Sequence, residues 1–402
     1  MDYLVERHII SPNHQYFDDL DKLCFLSKNL YNATLYAVRQ EFFKDGSFLN
    51  YNAVNKLFTH SNQVDYRALP AKVAKHTQQL VDKNYRSFFG LIKKGLNAKI
   101  SRYLHKEKGR QVIHYEKGAL SFKKQGFIHL SKTNIFIKTK LDKSLINFVR
   151  VVPKGNHIVV EVGYKSIYQT PKVNNQKYAS IDIGLNNLAT LTSNVAKPII
   201  YNGKPIKSVN QYFNKQLAQE KSKLDTGQKQ NKKRLHHLFL KRKNKLQTYL
   251  HKVSRQIVNY LVLHDITTLV IGKNVGQKQN IELGKQSNQN FVQIPFNDLI
   301  SQLTYKCKQV GIRVVLTEES YTSKCSFLDN EPVQKHSKYQ GKRVKRGLFK
   351  SAQGNLINAD INGSLNILRK YLTSQEAWND QIWSNLVEAC STPSVQRLTP
   401  CW

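Results

Sequence analysis

The 402 residues divide by texture into an α/β carboxyl-terminal half and an amino-terminal lobe of β-strands that carries a helical insertion. Three observations give that architecture. From Gln111 to about residue 165, apolar and polar residues alternate with glycines between the runs (QVIHYEKGALSFKKQGFIHL, INFVRVVPKGNHIVVEVGY). That is the period of antiparallel strands in a small barrel or curved sheet. Before this region, two stretches repeat their apolar residues at helical spacing. After Gln176, short apolar strands alternate with helical stretches, as in an α/β domain.

The elements follow in order. YLVERHII, near the amino terminus, is a strand able to join the later sheet, so that 12–108 becomes an insertion between strands 1–11 and 109–172. Leu20, Leu23, Leu26, Leu30, Tyr31 and Leu35 mark a helix over 17–45. A second helix starts after Pro70 and runs to about Gly95, with Val73, Leu80, Val81, Phe88 and Leu91 inward. Its Lys72, Lys75, Lys83, Arg86, Lys93 and Lys94 lie largely elsewhere, a solvated face or a set of phosphate contacts. In the domain 173–375, KYASIDIGLNNLATLTSN reads strand, tight turn, strand. A long charged helical stretch (210–262), the strand TTLVIG, a polar loop, a helix after Pro295 and the strand GIRVVLT follow. A basic loop then leads to a helix beginning in INADINGSLNILRKYL. The tail 376–402 reads as variable and loosely structured.

The charge narrows the function. Lys and Arg number 63 against 27 Asp and Glu, a net +36. Such an excess needs a polyanion, and nucleic acid supplies one through counterion release. No apolar run reaches the ~18–20 residues of a membrane span. MDYLVERHII lacks a signal-peptide block, so the expected location is cytoplasmic. Cys24, Cys307, Cys325, Cys390 and Cys401 form no CxxC pair, which argues against both a disulfide framework and a zinc site.

Two acids stand out. Asp182 lies between Ile181 and Ile183 in a strand apolar on both faces. An unpaired carboxylate is costly to bury there. A cation can balance it, or it lies at the exposed carboxyl end of the strand, where α/β domains place ligands; the bland alternative is a structural Asp paired with Lys or capping a turn. Gly184 beside it would let a phosphodiester approach the backbone. Asp360 precedes a helix and could merely cap it, although Asn358 could do the same. Together they have the chemistry of a two-Mg²⁺ phosphodiesterase, which needs carboxylates flanking metals ~4 Å apart.

SIDIGLNN, HKVSRQIVNYL, SYTSK and NADINGSLNIL, in this order, resemble the RuvC nuclease domain of the TnpB family, transposon-encoded RNA-guided DNA nucleases related to the type V CRISPR effectors. LPAKVAKHTQQLVDKNYRSFF and the half around it resemble that family's other lobes. The resemblance implies an RNase H-like (RuvC) fold for 173–375, with a wedge β-barrel from 1–11 and 109–172 and a helical recognition domain over 12–108. Residues 320–356 would form a target nucleic-acid-binding loop. It also implies a guide RNA transcribed from the transposon end, double-stranded target DNA beside a short motif, Mg²⁺-dependent cleavage, and one chain per RNA. His251, Lys252, Ser254 and Arg255 become phosphate contacts, or else a solvated basic face; Tyr321, Ser323, Lys324, Arg343 and Arg346 become nucleic-acid contacts. A nuclease-inactive RNA-guided repressor and a DNA transposase are the competing functions.

The chain departs from the family pattern twice. Family members usually carry paired cysteines after TSK, but here those positions hold Ser326 and Asp329, with Cys325 one place off, so no zinc is expected. The second motif usually ends in glutamate, and here that position is Gly272. Glu318 and Glu319, at the end of the next strand, could reach the same point, since neighbouring strands lie roughly 5 Å apart. Side chains alternate along a strand, so only one of the two should face the metals. Asp329 and Glu331, in the loop, are weaker candidates.

Overall fold

The computed structural model describes residues 3–225, 232–274, 292–390 and 394–396. They form two compact units, Met1–Ser166 and Ile167–Trp402.

The first unit contains β1 (Tyr3–Ile10), α1 (Phe17–Asp45), α2 (Tyr51–His60), α3 (Val64–Arg67), α4 (Ala71–Lys93), β2 (Ile113–Glu116), β3 (Leu120–Ser121), β4 (Phe127–Leu130), β5 (Phe136–Lys138), β6 (Ile146–Lys154) and β7 (His157–Lys165). β1 pairs antiparallel with β7 over its whole length, from Tyr3 with Lys165 to Ile10 with Ile158, so the helices are looped out between paired strands. α1 ends where Gly46 takes a φ of +75° and its N–H returns to the Phe42 carbonyl, a conformation glycine adopts without strain. The strands pair as two antiparallel sheets, β1-β7-β6-β2 and β3-β4-β5; among the described residues no pairing closes them into the expected barrel. Helical and strand residues share one core, where Leu30, Leu35, Val73 and Val81 join Val149 and Val160.

The second unit contains β8 (Tyr178–Asp182), β9 (Asn187–Ser193), β10 (Ile199–Asn202), α5 (Lys204–Asp225), α6 (Lys232–Leu263), β11 (Thr268–Gly272), α7 (Phe296–Gln309), β12 (Arg313–Thr317), β13 (Lys342–Lys345), β14 (Leu348–Lys350), β15 (Leu356–Asn358), α8 (Ala359–Ser374), α9 (Asp380–Ala389) and β16 (Ser394–Gln396). Its main sheet has the order β12-β11-β8-β9-β10-β16. β8, β9 and β10 are an antiparallel meander, whereas β11 and β12 run parallel to β8. The period-2 rule explains how apolar strands serve two cores. Leu269 and Ile271 join the core of α6 and α7, while Val270 joins the core of α8 and α9.

Two readings of the ends change. Residues 167–172 belong with the second unit, where the Lys172 N–H donates to the Gly311 carbonyl and its ammonium pairs with Asp265 at 3.0 Å. The tail is not loosely structured throughout. Asn379 caps α9, Ile382 and Leu386 are buried at an i, i+4 spacing, and Trp383 donates to the Phe327 carbonyl. β16 then pairs with β10. Cys24, Cys307, Cys325 and Cys390 are buried free thiols; Cys401 and most of the polar loop after Gly272 lie outside the described residues. No described helix is long and apolar enough to cross a membrane.

Candidate functional site

Parallel pairing fixes the site. Ile181 pairs with Ile271, and Gly272 pairs with Thr317, so the carboxyl ends of β8, β11 and β12 lie side by side. Asp182 is the last residue of β8 and is half-buried. Helix α8 crosses close to it, held by hydroxyls: Ser180 Oγ donates to the Ser364 carbonyl at 2.7 Å, and Ser364 Oγ to the Ser180 carbonyl at 3.1 Å. Gly363 makes this approach possible, because a Cβ there would stand 2.9 Å from Asp182 Oδ2. Asn358 caps α8, its Oδ1 accepting from the N–H of Asp360 and Ile361. Asp360 is therefore not the cap. Its carboxylate accepts from Asn187 Nδ2 at 2.6 Å and lies 3.6 Å from Arg343 Nη2.

The two glutamates diverge. Glu318 is exposed and pairs with Lys370 at 2.5 Å, on the outer side of the turn. Glu319 turns inward over Gly272. A Cβ on that glycine would stand 2.5 Å from Glu319 Oε1 and 2.5 Å from Ile367 Cδ1, so any larger residue would contest the space the carboxylate fills. Asn274 fastens it from both sides, its Oδ1 accepting the Glu319 N–H at 3.0 Å and its Nδ2 donating to Oε2 at 3.3 Å. Oε1 is buried and accepts no hydrogen bond. Tyr321, two residues on, has a φ of +67°, strain of the kind that collects around functional turns.

The electrostatics single out the same pair. Burial, then the charges of Glu319 and Asp360, push the Asp182 carboxyl up to about 8, against a lowering by Arg343. Burial, then Glu318, pushes Glu319 up to about 7. Lys370 instead holds Glu318 below its usual range. Among the described residues, no three His, Cys, Asp or Glu side chains converge closely enough to hold an ion as they stand. The donor set nonetheless fits a hard divalent cation: all three groups offer carboxylate oxygen, and one buried oxygen lacks any partner.

The predicted nucleic-acid contacts separate by burial. Ser254 requires correction: it is fully buried on α6, donates to the Leu250 carbonyl, and receives a bond from Lys306 Nζ at 2.6 Å. It is a packing residue, because its neighbour at helix-helix contact is α7. His251 and Arg255 are exposed on the same helix, with Lys252 half-buried. Tyr321, Ser323, Lys324, Arg343 and Arg346 are all exposed on the 320–356 segment, which forms the small sheet β13-β14-β15. Arg343 is the one of these that approaches the acids. At the paired-cysteine positions of the family pattern, the Ser326 N–H donates to Glu331, Asp329 accepts from the Ala352 N–H, and Cys325 Sγ lies 3.5 Å from the Gln334 carbonyl. Glu331 is buried here, accepting the N–H of Ser326 at 2.6 Å and of Gln340 at 3.0 Å, which takes it out of any metal set. Sequence reasoning missed Asn187, Asn274 and Gly363; Asn187 and Gly363 lie inside quoted motifs, but nothing local marks what either would touch.

Comparison with known proteins reaches these same elements. Residues 157–278, which include Asp182 and Gly272, match the OrfB_IS605 family model, described as a probable transposase. Residues 296–367, which include Glu319 and Asp360, match the TNB domain of Cas12f1-like proteins. A TnpB-like protein of Acidianus two-tailed virus is 24% identical over 412 aligned positions, covering 89% of this chain and 84% of the relative. Among solved structures, a Cas12f1–sgRNA–target DNA complex is 17% identical, covering 90% of this chain and 98% of that one at a TM-score of 0.38. A CRISPR–Cas12f ternary complex is 16% identical, covering 87% and 80% at 0.36. Two family models between them span all three acids, and a viral TnpB-like protein aligns along most of the chain, so the chain is similar to TnpB-like and Cas12f1-like proteins across its second unit.

Proposed function

We propose that the chain is an RNA-guided DNA endonuclease of a transposon, with the sheet β12-β11-β8-β9-β10 as an RNase H-like nuclease domain. Asp182, Glu319 and Asp360 are its metal-binding acids. The observation that carries this reading is Glu319 lying over Gly272 with a buried, unpartnered oxygen. A carboxylate kept so close to Asp182 without counter-charge is unfavourable unless a cation shares it.

Mg²⁺ held by these acids would lower the pKa of a bound water and stabilise the leaving oxygen of the phosphodiester. The chain's own residues set up that chemistry. Asn274 orients Glu319, and Asn187 orients Asp360. Gly363 lets α8 bring Asp360 against the end of β8. Arg343, paired with Asp360 and half-exposed, can exchange that partner for a backbone phosphate when a strand enters. Sequence selection would fall to base pairing between guide and target, with the protein reading backbone and shape. The net charge of +36 suits a chain holding both.

The test is cleavage of a matched plasmid by the purified chain with RNA transcribed from the flanking transposon end and Mg²⁺. Linearised product that disappears in Asp182→Ala, Glu319→Gln and Asp360→Ala, and persists in Glu318→Ala, is the expected result. Tight guide-dependent binding without any cutting would replace this reading with that of a nuclease-inactive repressor.

A further inference from the structure

Helices α5 and α6 pack beside one another and enclose a cleft of about 260 Å³ that the carboxylate site does not use. Its floor is apolar, built from buried Val209, Phe213 and Leu238. Tyr212 stands at its edge, 56% exposed, with its ring open to solvent. Three cations, Lys241, Arg242 and Lys245, complete the lining, and no acid is among the described residues that line it. Arg242 is set in place: Nε donates to Asn210 Oδ1 at 2.8 Å, Nη2 donates to the Gln293 carbonyl at 3.1 Å, and the guanidinium lies 5.0 Å from the centre of the Phe213 ring.

We infer that this cleft binds an unpaired base of a single-stranded RNA segment, with the flanking phosphates against Lys241 and Lys245. The volume lies just below the roughly 300–1,000 Å³ of drug-sized pockets, which suits one flat ring system rather than a helix or a peptide. An exposed aromatic beside fixed cations is how single strands are held without sequence readout, by stacking and by backbone charge. Duplex DNA keeps its bases stacked inward and has none to offer, whereas folded RNA presents unstacked bases in loops and bulges. A basic protein surface would be repelled by the three cations. The inference rests on the nucleic-acid reading of the chain but needs no cleavage.

Fluorescence anisotropy on the full chain, with a fluorescein-labelled single-stranded RNA of mixed sequence and the matching single-stranded DNA, tests it over a series of salt concentrations. Tyr212→Ala should weaken RNA binding about tenfold, and Tyr212→Phe, which keeps the ring, by less than about twofold. Lys241→Gln should lower the slope of log affinity against log salt by about one. Short-wave ultraviolet crosslinking should place an RNA adduct on the peptide carrying Tyr212 and Phe213. Equal RNA affinity in wild type and Tyr212→Ala, with adducts only elsewhere, would overturn the assignment. So would single-stranded DNA that binds more tightly than RNA and shows the same losses. Because Tyr212 is exposed, its variants should fold, and far-ultraviolet circular dichroism verifies that. Loss of plasmid cleavage with these results intact would remove only the nuclease reading.

Discussion

Two carboxylates of the second unit, the buried Glu331 and the half-buried Glu319, stand in contrasting circumstances. Glu331, in the 320–356 segment, has donors for both its oxygens, from the N–H of Ser326 and of Gln340, while Arg369 holds the carbonyls of Asn330 and Glu331. Glu319, twelve positions earlier, has Asn274 for one oxygen and nothing for the other. Glu331 and the inner oxygen of Glu319 are both taken out of water, yet only Glu331 recovers hydrogen bonds to both of its oxygens. A satisfied acid needs no further partner, whereas an unsatisfied one near a second acid has room for a cation, as the proposed site requires.

The largest expected effect on this contrast comes from the acids at the strand ends. Asp182→Asn and Glu319→Gln should each reduce cleavage on the order of a thousandfold, since metal stabilisation contributes several kcal/mol. The same Asp182→Asn should raise the melting temperature of the metal-free protein at about pH 8, because it removes an ionised group the fold disfavours. Glu331→Ala should do the reverse. It strands the buried Ser326 N–H at ~1–3 kcal/mol and frees Gln340, lowering the melting temperature by several degrees and loosening the segment it ties together. A Glu331→Ala protein as stable as wild type would dissolve the distinction between the two acids.

A smaller effect should appear in the pH dependence of the metal-free chain. Asp182 and Glu319 titrate near 8 and 7 when folded, above their ordinary values of 3.8 and 4.5. Groups raised by folding favour the native state while protonated, so their contribution is complete below about pH 4 and is lost as pH rises to about 8. Thermal melts between those limits should therefore show falling stability, with added Mg²⁺ restoring most at the alkaline end. A restoration that does not grow with pH would place metal binding elsewhere. The smallest effect belongs to Glu318→Ala: its pair with Lys370 is largely exposed and should contribute under ~1 kcal/mol, with cleavage unchanged.

Much of this organisation is legible in the sequence because it rests on periodicity. The α1 boundaries, the pairing of YLVERHII with the later strands and the alternating α/β order all follow from spacing that burial enforces. The tail is harder to read, since a ten-residue helix with a single tryptophan is too short for a strong helical period. Ser254 was misplaced for a related reason: in HKVSRQIV its basic neighbours point outward, and a small polar residue on the inner face looks the same in sequence. The choice between Glu318 and Glu319 was open because alternation says that one turns inward without saying which. The structure distinguishes them through Asn274 and Lys370, partners 45 and 52 positions away.

The lateral register of Gly272 with Thr317 has a consequence for ancestry. In the proposed site, function belongs to a location at the carboxyl ends of adjacent strands, which two different codons can supply. A lineage could gain the second acid on one strand before losing the first on its neighbour, remaining competent throughout, because the glycine left behind makes room for the newcomer. A search for the proposed site should therefore ask whether any carboxylate overhangs the glycine, and not only which residue stands in its place.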